Sequence, residues 1–278
     1  MDYEKHCICV LDASTYVGFW ILKGLLSRGY TVHAAIQRNG LESEIEKEIT
    51  ELKKVHEERL SIFTIDVLDY HSIHLALKGC TGLFCCLDSS DGYDEKIVDW
   101  EVRGAINVVE ACAQTESIEK VVFTSSLTAA IWRENISSEI DIDERSWTLA
   151  KTLSEQAAWA LAMDRMVNMV SINSGLVLGP CVTQQNPLST TSYLNGAAQM
   201  YENGVLAFVD VDFLVDVHIR ALEDSSTCGR YFCFNQIVNT EEEAVKLAEK
   251  YACEGSEVFT ERLRTKKLNK LVESTACY

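Results

Sequence analysis

The chain has 278 residues, of which 47% are hydrophobic and 24% charged, with two prolines. A chain of this length buries a full core unaided, which excludes a disordered segment, a collagen-like repeat and a disulfide-stapled mini-protein. Twenty-five basic against 42 acidic residues give a net charge of −17; such a surface repels phosphate backbones and argues against nucleic-acid binding, though not against a small anion in a locally basic pocket.

The N-terminal half alternates strand and helix patterns. His6 to Leu11 is a short apolar run, predicted as the first strand. Val17 to Arg28 has helical periodicity and ends at Arg28-Gly29, a basic last turn followed by a capping glycine. Thr31 to Ile36 is the second strand. Glu42 to Glu58 is a charged helix with Ile45, Ile49, Leu52 and Val55 along one face. Leu60 to Asp66, Tyr70 to Lys78, Gly82 to Leu87, Ile97 to Gln114 and Lys120 to Ser125 continue the alternation as strand, helix, strand, helix, strand. Trp132 to Trp147 is polar and irregular. Thr152 to Met166 predicts an amphipathic helix and Met169 to Leu178 a further strand, ending at Gly179-Pro180.

Near-continuous apolar strands separated by helices imply a parallel sheet covered on both faces. The expected fold class is therefore α/β, a doubly wound parallel sheet of Rossmann type. Residues 1–175 read as a dinucleotide-binding domain and 176–278 as a smaller substrate-side lobe sharing its core. No apolar run reaches bilayer-spanning length. The chain opens Met-Asp-Tyr-Glu-Lys-His and goes straight into a strand, so a cytoplasmic protein is expected.

The eleven cysteines are irregularly spaced, many inside apolar runs, such as Cys7, Cys9, Cys85, Cys86 and Cys233. They read as small buried hydrophobes. No Cys-x-x-Cys pair or cysteine/histidine cluster at zinc spacing appears, so no metal is expected. His71 and His74 share a helical face that reads as solvated.

In a nucleotide-binding fold the turn after the first strand receives the pyrophosphate on backbone N–H groups. Here it reads Leu11-Asp12-Ala13-Ser14-Thr15-Tyr16-Val17-Gly18. Of three glycines expected at 12, 15 and 18, only Gly18 is present. Asp12 opposes an anion, or else caps the following helix. After the second strand comes Gln37-Arg38-Asn39, where Arg38 favours the 2′-phosphate of NADP over NAD, or is simply an exposed loop arginine. Asp66 and Val67 are placed to contact an adenine edge, with a helix N-cap as the other reading of Asp66. Strand five ends in Ser125-Ser126, at the crevice edge where such folds bind ligands. Lys151 follows on a helix. In a Ser/Tyr/Lys constellation, serine holds the carbonyl, tyrosine donates the proton and lysine lowers the tyrosine pKa. The tyrosine belongs four residues before the lysine, where this chain has Trp147, whose indole cannot act as an acid near neutral pH. The plain alternative for Lys151 is a solvated lysine paired with Glu155.

Several stretches together carry a resemblance: Arg28 to Val32, Asp66 to Tyr70, Asn107 to Ala111, Val121 to Ser126, Asp143 to Trp147, Lys151 to Trp159, Val177 to Pro180 and Gly229 to Tyr231. Over nearly its whole length the chain resembles the plant cinnamoyl-CoA reductase and dihydroflavonol reductase group of extended short-chain dehydrogenases, and is most similar to its divergent cinnamoyl-CoA-reductase-like branch. The resemblance implies an NADPH-dependent oxidoreductase acting on a small-molecule carbonyl of phenylpropanoid type, with no nucleic-acid or membrane partner. It matches Ser126 to the catalytic serine and Lys151 to the catalytic lysine. It puts Asp12, Thr15, Tyr16, Val17, Arg38, Asp66, Val67, Cys86, Leu87, Lys151, Ser174 and Val177 at the cofactor.

The chain departs from that group at several points. Asp12 and Thr15 replace turn glycines, and the basic residue after strand two falls on Gln37, with Arg38 one step on. The strand-four turn is Cys85-Cys86-Leu87-Asp88, Ser174 replaces a proline, and Phe213 replaces an acid. The segment that carries the catalytic tyrosine is missing between Ser146-Trp147 and Lys151, and a second shortening falls near Tyr251 to Gly255. An impaired reductase is therefore expected, with a non-catalytic NADP(H)-binding or scaffold protein as the alternative.

Overall fold

The computed structural model describes residues 6–37, 43–88, 95–131, 142–180, 182, 206–238, 240 and 243. Its main sheet has strands β1 (Cys7–Leu11), β2 (Thr31–Gln37), β3 (Leu60–Ile65), β4 (Gly82–Cys85), β5 (Lys120–Ser126), β6 (Met169–Ser174) and β9 (Gly229–Cys233). Their order is β3-β2-β1-β4-β5-β6-β9, and every pairing is parallel. The order reverses between β1 and β4. At that point the carboxyl ends of neighbouring strands open a crevice in doubly wound sheets.

The connections are α1 (Tyr16–Ser27), α2 (Glu44–Val55), α3 (Tyr70–Leu77), α4 (Glu95–Ala113), α5 (Thr128–Ile131) and α6 (Ile142–Asp164), with α7 (Val211–Glu223) preceding β9. Side chains alternate across each strand, so β1 feeds two cores. Ile8 and Val10 join Leu22 of α1, Ile49 of α2 and Leu214 of α7 on one face. Cys9 and Leu11 join Ile73 of α3, Val108 of α4 and Ala158 of α6 on the other.

Local signals set the boundaries. α1 ends as expected: Gly29 at φ +87° lets its N–H reach Leu26 O, while Tyr30 N–H reaches Leu25 O. This six-to-one and five-to-two pair closes a helix on a left-handed residue. α6 differs from expectation. It begins at Ile142, ten residues before Thr152, so part of the stretch read as irregular is helix. Asp143 and Glu144 fall in its first turn, where acids favour the helix dipole. The run Met169 to Leu178 also divides. Gly175 separates β6 from β7 (Leu176–Leu178), which joins β8 (Ala207–Asp210) and β10 (Gln236–Ile237) in a second sheet of order β10-β8-β7. A Cβ on Gly175 would lie 2.5 Å from Ala207 O, so the strand can change sheets only at a glycine. Among the described residues no helix is long and apolar enough to cross a membrane.

Candidate active site

The β1–α1 turn is tight. Thr15 caps α1: its Oγ1 accepts from Gly18 N–H at 3.1 Å and donates to Asp12 O at 3.0 Å. The cap is thus Thr15 and not Asp12, because only the Thr15 hydroxyl reaches the first-turn N–H. A Cβ on Gly18 would lie 2.2 Å from Asp12 O, which explains why this one glycine is kept. Asp12 is 4% exposed. Its carboxylate accepts from the Ser14 hydroxyl at 2.5 Å and from Ser14 N–H at 3.3 Å. Burial pushes its pKa up to about 6, against the lowering by Ser14, with Asp88 adding a smaller upward push.

The side chains of Tyr16 and Val17 point into the core. Tyr16 donates to Pro180 O at 2.9 Å and meets the Trp20 ring edge-on. At the end of β2, Gln37 is buried and its Oε1 accepts from Val67 N–H at 3.2 Å. Asp66 is exposed and accepts from Leu68 N–H at 2.9 Å. Asp66 is not the helix cap: Asp69 caps α3 by accepting from His71 N–H. On α3, His74 is not simply solvated, since it stacks on Tyr70 and meets Thr115 Oγ1 at 3.3 Å. Arg38 lies outside the described residues.

Lys151 is the central charge of the crevice. It is 6% exposed, and its ammonium donates to Leu87 O at 2.8 Å while pairing with Glu101 at 2.9 Å and Asp88 at 3.2 Å. Burial works against its charge, but the two carboxylates outweigh it and hold its pKa above the ordinary lysine value. The alternative reading of Lys151 as a solvated lysine paired with Glu155 is therefore overturned. Lys151 stands on the buried face of α6, where acids from the β4 end and from α4 converge on it. Glu155, one turn further, is itself fully buried and pairs with Arg230 at 2.6 Å. It also accepts from Ser125 Oγ at 2.5 Å and Asn173 Nδ2 at 2.7 Å, tying β5, β6 and β9 together.

Ser126 ends β5. Its Oγ accepts from Thr128 N–H at 3.2 Å and from the Thr128 hydroxyl at 2.9 Å. With two bonds accepted, its own O–H is what it can offer a ligand. Ser174, opposite it in register, is 4% exposed, and Val177 is fully buried in the second sheet. Cys86 is buried, with its thiol 3.5 Å from Thr124 Oγ1 and its pKa pushed up to about 12 by burial. Thr124 in turn meets His218 Nε2 at 3.0 Å. Trp147 stands one turn before Lys151 on α6. Tyr93, Tyr193 and Tyr201, the other tyrosines near this region in sequence, lie outside the described residues.

The sequence reading missed the roles of Asp88, Glu101 and Arg230, and it gave Glu155 to Lys151 where the structure pairs it with Arg230. A signal existed for Glu101: it shares the helical face of Ala105, Val108 and Cys112, so an acid there is buried and needs a cation.

These residues suit a dinucleotide in outline. Gly18 permits close approach of backbone to an anion, and polar groups end β2 and β3. They suit it poorly at the Asp12 carboxylate, which above pH 6 is a buried negative charge beside any pyrophosphate.

A model of the NAD dependent epimerase/dehydratase family matches residues 8–232. The chain is 32% identical over 253 residues to cinnamoyl-CoA reductase 1 of Petunia hybrida, covering 84% of this chain and 73% of that one. It is 28% identical over 277 residues to tetraketide alpha-pyrone reductase 1 of Arabidopsis thaliana, covering 90% and 83%. Among solved structures, vestitone reductase from alfalfa (Medicago sativa L.) superposes with a TM-score of 0.67 at 24% identity, over 89% of this chain and 82% of that one. A yeast methylglyoxal/isovaleraldehyde reductase complexed with NADPH gives 0.67 at 16% identity, over 88% and 82%. These two show the fold.

Proposed function

Because the chain belongs to the NAD dependent epimerase/dehydratase family and stands there among relatives of the plant cinnamoyl-CoA reductases, we propose that it binds NADP(H) and is an impaired reductase of a phenylpropanoid-type carbonyl. The observation that carries this reading is the pairing of a retained frame with a missing acid. Ser126 keeps its O–H for a carbonyl oxygen and Lys151 keeps its charge, but the residue one turn before Lys151 is Trp147. Bound NADPH supplies the hydride. The turn of Asp12, Thr15, Tyr16 and Val17 would hold the pyrophosphate through its backbone, Arg38 would take the 2′-phosphate, and Asp66 with Val67 would meet the adenine. Cys86 and Leu87 would line its path at the strand-four turn, Lys151 would meet the ribose, and Ser174 with Val177 would lie on the nicotinamide side. The substrate lobe is assigned to 176–278. The packing of Val177, Val209 and Val211 in one core with Val10 and Val17 supports a core shared with 1–175.

Loss of a general acid costs about a hundred- to ten-thousand-fold in rate. A non-catalytic NADP(H)-binding role is favoured by the three acceptors already around Lys151. Calorimetric titration with NADPH and NADH, followed by turnover assays with hydroxycinnamoyl thioesters and aldehydes, separates the two. Binding of NADPH with slow turnover supports the impaired enzyme, and binding with none supports the alternative. Absence of binding at saturating cofactor overturns both, and turnover at a rate ordinary for enzymes overturns the impairment. Arg38→Ala should erase the preference for NADPH over NADH.

A further inference from the structure

At the amino end of the main sheet, away from the crevice, three ligand-bearing side chains converge from distant parts of the chain. Cys7 opens β1, His33 lies in β2, and Cys80 immediately precedes Thr81 and β4. Cys7 Sγ and Cys80 Sγ are 3.5 Å apart, and Cys80 Sγ is 3.3 Å from His33 Nδ1. All three atoms lie within 4.8 Å of one another. We propose that Cys7, His33 and Cys80 bind one thiophilic metal cation, zinc(II) in the first instance.

The spacing is that of a coordination shell. Zinc binds sulfur at about 2.3 Å and nitrogen at about 2.0 Å, so tetrahedral edges are about 3.8 Å between sulfurs and about 3.5 Å between sulfur and nitrogen. The Cys7–Cys80 and Cys80–His33 edges are within a few tenths of an ångström of these, and the Cys7–His33 edge is under 4.8 Å. The frame is rigid. Thr81 N–H donates to Cys7 O at 2.8 Å and Cys80 N–H to Leu77 O at 2.9 Å. Phe63 packs on the His33 ring with centroids 4.7 Å apart. Cys9, on the same strand face as Cys7 and opposite His33 in register, neighbours Cys80 but lies outside the set whose ligand atoms fall within 4.8 Å of one another. Cys80 is fully buried, while Cys7 and His33 are half-buried and leave a path from solvent.

Without a cation both thiols stay protonated. Cys7 is raised by its bond to Cys80 and by burial. Cys80 is raised too, because its bond to Cys9 and its burial outweigh the lowering by Cys7. Binding releases both thiol protons to water. His33 moves its Nδ1 proton to Nε2 and gives up its bond to Ala76 O, 2.8 Å away. A disulfide is the competing chemistry, but it needs an oxidant and sulfurs at about 2.05 Å, and it has no use for the imidazole.

The test uses the full chain, reduced and freed of metal by chelator, titrated with cobalt(II). We expect thiolate-to-cobalt charge-transfer absorption and tetrahedral d–d bands saturating at one equivalent and bleached by one equivalent of zinc. Cys80→Ala should abolish them. His33→Gln should weaken cobalt binding by more than the about ten- to hundredfold that loss of an outer-sphere partner costs. Cys228→Ser, at an exposed cysteine, should change nothing. Absence of the thiolate band in the unaltered protein overturns the proposal, even if Cys80→Ala fails to fold. A band that survives in Cys80→Ala, or disappears in Cys228→Ser, overturns it as well. No cofactor enters the experiment, so its outcome is independent of reductase function.

Discussion

Lys151 is where the chemistry and the stability of this protein meet. Its ammonium is the countercharge for two carboxylates whose side chains are 2% and 9% exposed, Glu101 and Asp88. Removing one member of a buried pair leaves the other uncompensated, which costs about 3–5 kcal/mol. Lys151→Met is therefore expected to lower the urea unfolding free energy by that amount. Glu101→Gln added to it should recover a large share, since the amide needs no countercharge. Strict additivity of the two changes would show that the pair does not interact. Ser126 stands differently. Its partners lie two residues away in Thr128, so Ser126→Ala should cost only about 1 kcal/mol in stability. Any larger effect should appear in turnover.

At the scale of elements, Gly175 sets where two chain segments pass one another. A methyl at Gly175 would meet Ala207 O at 2.5 Å and Ala207 C at 2.8 Å, both backbone atoms that cannot rotate away. Gly175→Ala should push β7 from β8 and cost about 1–3 kcal/mol, read as a lower urea midpoint. By contrast, Gly79 has nothing within 4 Å of an added Cβ and is kept for its φ of +82°. The order of β1 to β6 was legible because each strand is a nearly pure apolar run and each helix carries a face. The break at Gly175 was not, because both sides of it are buried and equally apolar. The start of α6 was not legible either. Its first residues, Ile142 to Ser146, have no apolar repeat, and the acids that read as loop are those a helix N-terminus favours. Ser126 and Lys151 could be found by position alone. The acids around Lys151 could not, because they come from Asp88 and Glu101, more than a helix length away in sequence.

Over the whole molecule, two buried groups titrate against one another. His218 is fully buried, with Nδ1 2.8 Å from Leu214 O and Nε2 3.0 Å from Thr124 Oγ1. Burial lowers its pKa to about 4 from an ordinary value of 6.5. Between those values the unfolded chain binds a proton that the folded chain refuses, so acid weakens the fold by about 3 kcal/mol in total. Asp12 does the reverse. Its folded pKa of about 6 lies above the ordinary 3.8. Below pH 6 the folded chain takes a proton that the unfolded chain does not, and this stabilises the fold as pH falls. Above pH 6 the buried carboxylate costs about 3 kcal/mol. The two slopes oppose each other between pH 4 and 6, so their combined contribution there is nearly flat. Asp12→Asn removes one of them. The variant should be about 3 kcal/mol more stable than the parent at pH 7, equal to it below pH 4, and should show the His218 slope uncovered. Denaturation midpoints measured from pH 4 to 7.5 on both proteins test this. A constant difference across that range would mean Asp12 keeps its ordinary pKa. The same titration bears on ligand binding, because the charge lost at Asp12 is the one that opposes a pyrophosphate. NADPH should bind the parent more tightly as pH falls through 6, and Asp12→Asn, whose carboxamide carries no charge at any pH, should remove that dependence.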